Sequence, residues 1–508
     1  MSQRKSKKIT HLDIRQKHPR AVLSSTNRDY ADIANSLYDI LKSTDLGDGL
    51  LEDELKSMAI KVTLYFEDIV SEIGLWASFV AKHKELYGKP LPFYAVGTEY
   101  DTDHIHVEDI QLLLWDALLA DEYSETMPNP ENYGIEDAAR WIFTFLDGIF
   151  DDIPINGALY EYIHEAPFAS NFYDVRLVLN WYFFDCYLTS GRFMSSVLDE
   201  AINRQMELSH GLPSVAQTAA MADVAFNHRI GPLALKPQEW LAALLRVHGQ
   251  EDKASAVGSI ISKELEPYTL VSFDDKVVSL RDVDGNLMTL RRTKYLNADD
   301  RVLKGKDTCG CIGTFAFYNG EWFLNGMCLW GYIHEFSAEF KRERELAKKQ
   351  NFNALRDALV GNFKPLYFFN DADSLRKFVT KETHLPLTER QQLPKDVKNL
   401  IMFIPGSVQS NDDLKTGGIG KRRDFCIIFD IAEYVKSPDN PMYNREKAKN
   451  YFLIADIENV PGEFVRYAIS HNLFPDFAIN SAKGYRHARC LTQDNLDFLA
   501  RTLRRQDY

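Results

Sequence analysis

Three thiols and one imidazole lie close together in this chain: Cys309, Cys311, Cys328 and His334. Cys309-Gly-Cys311 puts two thiols on one face of a strand, because strand side chains alternate. With Cys328 and His334 the set has the composition of a tetrahedral Cys3His zinc site. The spacing is not that of a standard zinc motif, where cysteines pair across two to four residues. Free cysteine also serves as a small buried apolar residue. Packed thiols are therefore the favoured reading, with no cofactor assigned, and a redox pair is the third alternative.

Two Glu-x-x-His words, Glu161/His164 and Glu207/His210, occur among segments that also hold Glu67 and Glu108. A di-iron carboxylate bundle uses two such words and two further glutamates. Here the order is Glu, Glu, word, word, and Glu161 lies in a short segment between Gly157 and Pro167, so the bundle is not favoured. His104, His106, Glu108 and Asp109 read as a helix start, where acidic groups suit the N-terminal dipole. Gly417-Gly-Ile-Gly-Lys421 falls short of a Walker A loop: position 415 is Lys and position 422 is Arg. Residues 405–423 read as a long loop whose basic end, Lys421, Arg422 and Arg423, suits an anionic ligand or partner. No Gly-x-Ser-x-Gly, His-Glu-x-x-His or Cys-x-x-Cys motif is present.

The element that must hold the thiols is a hairpin. Asn319-Gly320 separates two alternating apolar runs, and a type I′ turn needs positive φ at both central residues. That turn predicts Tyr318 opposite Glu321, Phe317 opposite Trp322, Phe315 opposite Leu324, Gly313 opposite Gly326 and Cys311 opposite Cys328. Three more strands are expected at 268–273, 276–281 and 287–292, after the period changes to two at Pro267. Five such strands curl into a small SH3-like barrel, which hides sheet edges. Before them, residues 29–262 carry helical periodicity, with strong helices at 51–87, broken or bent at Gly74, and at 107–119. After a charged helix at 339–349, strands at 367–369, 400–404 and 425–429 alternate with helices near 371–379, 448–454, 462–471 and 495–503. That mixture argues an α/β or α+β terminal domain.

The chain has 508 residues, too many for one ordinary core. It is 45% hydrophobic and 26% charged, which excludes a disordered class. A formal net charge of −14 argues against a general nucleic-acid binder, though not against local basic segments. Residues 1–28 read as a flexible basic arm without the apolar stretch of a secretory signal. No apolar window reaches eighteen residues, so no membrane span is expected. Six cysteines, unevenly spaced, fit reduced thiols in a cytosol.

Several short words stand in order along the chain: Tyr65-Phe-Glu-Asp68, Leu91-Pro-Phe-Tyr94, Glu108-Asp-Ile110 with Leu113-Leu-Trp115, Tyr318-Asn-Gly-Glu-Trp322 with Asn325-Gly326, Asp439-Asn-Pro441, and Asn495-Leu-Asp-Phe498. In these words the chain resembles a family of uncharacterised proteins from Bacteroidetes bacteria. The resemblance runs from about residue 30 to the C-terminus. It implies a bacterial origin and a shared multi-domain layout, and no activity, cofactor or catalytic residue.

The expected architecture is α+β and multi-domain: a basic arm (1–28), a helical domain (29–262), a small antiparallel barrel (266–335) and an α/β domain (338–508). The expected role is a non-catalytic interaction or regulatory module with a protein partner or a second copy of itself. The alternatives are a hydrolase or metal-dependent enzyme with an inter-domain cleft, and a ribosome- or RNA-associated protein.

Overall fold

The computed structural model of the protein describes residues 9–19, 22–119, 128–165, 168, 172–191, 194–208, 212–293, 296, 309–332, 364–383, 396–404, 426–429, 431–449, 460–474, 491–504 and 508. Helices come first: α1 (His11–Gln16), α2 (Asn27–Lys42), α3 (Asp45–Gly49), α4 (Glu52–Val70), α5 (Leu75–Tyr87), α6 (Val107–Leu118) and α7 (Tyr133–Asp147). Then follow α8 (Gly157–His164), α9 (Phe172–Phe184), α10 (Met194–Leu208), α11 (Pro213–Asn227), α12 (Pro237–Val247) and α13 (Glu251–Gly258). Six strands succeed them: β1 (Ile261–Ser262), β2 (Glu266–Phe273), β3 (Val277–Arg281), β4 (Leu287–Arg291), β5 (Cys309–Tyr318) and β6 (Glu321–Tyr332). The last part holds β7 (Leu366–Asp371), α14 (Ala372–Thr383), β8 (Lys398–Phe403), β9 (Cys426–Ile428), α15 (Arg445–Lys449), α16 (Gly462–Ser470) and α17 (Leu496–Arg504).

The chain divides into two compact units. One comprises residues 1–199, 224–260 and 479–506; the other comprises 200–223, 261–478 and 507–508.

The first unit is helical. In α2 the residues Tyr30, Ile33, Ala34, Leu37, Tyr38 and Leu41 recur at helical spacing and are all buried. Glu52, Asp53 and Glu54 open α4, where negative charge suits the dipole, and Glu54 accepts from the Leu51 N–H at 2.6 Å. From Val62 to Ile69 every residue of α4 is buried, which makes it the central helix of this unit. Part of the expected basic arm packs on the helices. Ile9 and Ile14 are buried, His18 Nε2 lies 2.7 Å from Glu67, and Trp181 Nε1 donates to the Lys17 carbonyl at 2.7 Å. Apolar residues spaced among the basic ones account for the packing; the charge run masked them. Helix α17 also belongs here. Phe498 meets the rings of His83, Phe93 and Trp115, and Thr502 donates to the Pro232 carbonyl at 3.0 Å.

In the second unit, β2, β3, β4, β6 and β5 close on themselves as a five-stranded barrel. All neighbours are antiparallel except β4 and β6, which pair in parallel at Leu290 and Trp322. Strand β1 adds to β5, with Ile261 opposite Phe317. Tyr268, Leu270, Val278, Leu280, Met288, Leu290, Phe315 and Leu324 fill the interior. Closure removes the open edges that a five-stranded sheet would expose. Strands β7, β8 and β9 form a second, antiparallel sheet. Helix α14 covers one face, setting Leu375 and Val379 against Leu400 and Met402. Asp371 starts that helix by accepting from the Ser374 N–H at 2.7 Å. Phe403 on β8 meets Phe464 and Tyr467 of α16. Each strand pair here is antiparallel, so of the two expected forms the described part of the terminal region takes α+β and not α/β; alternation of strand and helix does not by itself fix strand direction.

Candidate functional site

The thiol group sits inside the barrel. Cys309 and Cys311 are buried on β5, and half-buried Cys328 packs on the same core from β6. The turn below them has φ of 50° at Asn319 and 85° at Gly320, as type I′ requires. Phe317 faces Trp322, Phe315 faces Leu324 and Tyr318 faces Glu321. Beyond Phe315 the register shifts. Gly313 faces Cys328 instead of Gly326, and Cys311 faces Trp330 instead of Cys328. The cause is a bulge at Asn325-Gly326-Met327. Gly326 takes φ of 108°, and a Cβ there would come within 2.9 Å of the Ala222 Cβ on α11. Asn325 Nδ2 donates to Ser262 Oγ at 3.0 Å, and Thr314 Oγ1 donates to the Asn325 carbonyl.

The thiols nevertheless stay neighbours. Cys311 and Cys328 are diagonal across the two strands on one face, and both pack on the barrel core. Burial, and then the neighbouring thiol, push Cys311 well above the usual thiol range. Among the described residues no group of three or more His, Cys, Asp or Glu side chains is arranged to hold a metal ion. His334, the fourth member of the expected zinc set, lies outside the described residues, as do Lys421, Arg422 and Arg423.

A charged cluster sits on the same barrel. Lys263 Nζ lies 3.0 Å from Glu266 Oε1 and 2.6 Å from Asp282 Oδ2. Tyr268 donates to Glu266 at 2.7 Å, and Asn286 Nδ2 donates to Asp282 at 3.0 Å. The ammonium also sits 5.8 Å from the Tyr268 ring centre and 5.9 Å from that of Trp322. Burial opposes its charge, but Glu266 and Asp282 prevail and hold the lysine above its ordinary range. The cluster ties the start of β2 to the end of β3.

The helical unit contains a larger buried polar assembly, built on α4. Asp68 accepts from the Leu75 and Trp76 N–H groups at 2.9 and 2.7 Å, capping α5, and from the Tyr187 hydroxyl at 2.7 Å. Asp109, in the first turn of α6, accepts from Tyr65 at 2.6 Å and from Tyr100 at 3.0 Å. Trp76 links the two carboxyls, since its indole N–H reaches the Tyr100 hydroxyl at 3.3 Å. Burial raises Asp109 to about 8 against its phenol donors. Burial raises Asp68 to about 6, against the pull of Tyr187 and the backbone donors. Glu67 takes His18 on one oxygen and Asn156 Nδ2 on the other at 2.8 Å. His164 and His248 both direct Nε2 at the Ile73 carbonyl, at 2.8 and 3.2 Å.

This placement decides the glutamate–histidine words. Glu67 is held by His18 and Asn156, and His164 by a backbone carbonyl, so these two are not brought together as metal ligands. His210 lies outside the described residues. Sequence reading missed Asp68 and Lys263 and took Asp109 only as a helix-start acid. The available signal was acidic residues on the apolar side of a strong helical period: Asp68 and Asp109 fall among core positions of α4 and α6. Asp68 and Asp109 are 1% and 0% exposed and bonded by phenol and backbone donors, so the assembly braces the helices from within.

The fold and these joints define a mixed α+β protein with two units, a helical one braced by buried polar groups and one built on a closed five-stranded barrel. The chain belongs to the family described as Protein of unknown function (DUF3843), whose model matches residues 8–286 and 335–505. Residues 287–334, with β4, β5 and β6, fall between the two matched segments. No curated protein and no solved structure matches the chain. No helix among the described residues is long and apolar enough to cross a membrane.

Proposed function

We propose that this protein is a non-catalytic interaction or regulatory module of the bacterial cytosol, with the SH3-like barrel as an organising element. The observation that carries the reading is the contrast between its inside and its surface. Four of its perturbed ionisable groups, Asp68, Asp109, His164 and Lys263, are largely buried and bonded to the fold itself. Large aromatic side chains meanwhile stand outward on α7, with Tyr133 72% and Trp141 61% exposed. Trp and Tyr dominate the energetics of protein interfaces. Lys421, Arg422 and Arg423 add a basic contact for an anionic group of the partner.

The test is the native mass of the protein purified from its own cells, measured by light scattering. The expected result is a species heavier than the 58.3 kDa chain that reverts to monomer in a Tyr133→Ala/Trp141→Ala variant. A monomer in both samples would overturn the reading.

A further inference from the structure

We infer that Cys311 and Cys328 form a reversible disulfide site inside the barrel, with Cys328 as the entry thiol and Cys311 as the resolving one. Four structural observations support it. The bulge at Asn325-Gly326-Met327 moves Cys328 opposite Gly313, which has no side chain, so nothing on β5 stands directly across from the thiol. Cys311 lies two positions further along β5, on the same face, and packs in the same core as Cys328. Cys328 is half-buried and Cys311 fully buried, which separates an accessible sulfur from a protected one. Cys309 is buried too, but lies opposite Tyr332, one step further from Cys328.

The oxidant is a small-molecule disulfide, RSSR. The Cys328 sulfur, having given up its proton, attacks one sulfur of RSSR. The Cys328–SR bond forms, the S–S bond of RSSR breaks, and RS⁻ leaves and takes up a proton. The deprotonated Cys311 sulfur then attacks the Cys328 sulfur, forming the Cys311–Cys328 bond and expelling the second RS⁻, which is also protonated. Two thiols lose two electrons and two protons, and RSSR becomes two RSH. Exchange of this kind runs through a mixed disulfide and is limited by access to the attacking thiol. The product ties β5 to β6 beyond the bulge, where the hairpin's register is set by Gly326 and Asn325 rather than by the turn.

The experiment uses the full chain. Native protein is incubated with glutathione disulfide, remaining thiols are alkylated, and the digest is mapped by mass spectrometry. The expected product is a Cys311–Cys328 cross-link, reversed by a dithiol, with Cys309 and Cys186 alkylated only after denaturation. Cys311→Ser should stop at a glutathione adduct on Cys328, and Cys309→Ser should leave the cross-link intact. The wild-type map stands whether or not either variant folds. A cross-link through Cys309, a stable glutathione adduct on wild-type Cys328, or no thiol loss in the native protein would each overturn the assignment.

Discussion

Phe317 and Trp322 face each other directly across the β5–β6 hairpin, with ring centres 5.2 Å apart. That pair sits just inside the Asn319-Gly320 turn, so the turn's geometry and the aromatic contact support the same register. Gly320 has φ of 85°, where a β-branched side chain is strained. Gly320→Val should therefore destabilise the barrel by about 1–2 kcal/mol. Denaturant titration followed by Trp fluorescence checks this, and an unchanged midpoint would show that the turn does not need its glycine.

The buried Asp109 carboxyl should make stability fall as pH rises above neutrality. Its folded pKa is about 8, against roughly 3.9 in an unfolded chain. Between those values the folded state binds a proton that the unfolded state has lost, so stability declines as pH rises through the window. Asp68, at about 6, acts in the same sense at lower pH. His83 and His164, both lowered to about 4 chiefly by burial, act oppositely up to roughly pH 6.5. From about pH 6.5 to 8, Asp109 alone of these four groups titrates, with a limiting slope of about 1.4 kcal/mol per pH unit. Melting curves of wild type and Asp109→Asn across that range should diverge, the variant being flatter. Parallel curves would refute the assignment.

The segment from Ile9 to Pro19 should contribute to folding. His18→Ala leaves one oxygen of buried Glu67 without its partner, which costs about 1–3 kcal/mol. A chain starting near Arg28 should melt several degrees below the full chain. Equal melting temperatures would mean that the segment rests on the helices without stabilising them.

Helix α17 should be required by the N-terminal helices. Asn495 Oδ1 accepts from Lys89 Nζ at 2.7 Å and from the Phe93 N–H at 3.2 Å, and Tyr87 donates to Asp497 at 2.6 Å. Phe498 is buried among aromatic rings. Phe498→Ala should cost about 3–5 kcal/mol, the range for truncating a buried aromatic. Amide hydrogen exchange should show the loss of protection in α5 and α6, and loss confined to α17 would contradict the docking.

Local chemistry was enough to read several elements from the sequence. The Asn319-Gly320 turn and the four pairs nearest it follow from the φ values that turn demands and from strict alternation of side chains. The break between α4 and α5, the start of α6 at Val107 and the strands from β2 to β4 follow from period and breakers. The tertiary structure decided what depends on distant partners. Gly326 takes a positive φ where α11 leaves no room for a Cβ, and the bulge there puts Cys328 opposite Gly313 instead of Cys311. Asp68 and Asp109 look like ordinary helical acids until Tyr187, Tyr65 and Tyr100 arrive to bond them in the core. His18 is one residue of a basic run until Glu67 buries beside it. Asn495 and Phe498 join α17 to residues 83–115 across some four hundred positions, and no local pattern carries that distance. Periodicity fixes which face of an element is apolar; only packing selects the element it meets and the polar groups closed in between.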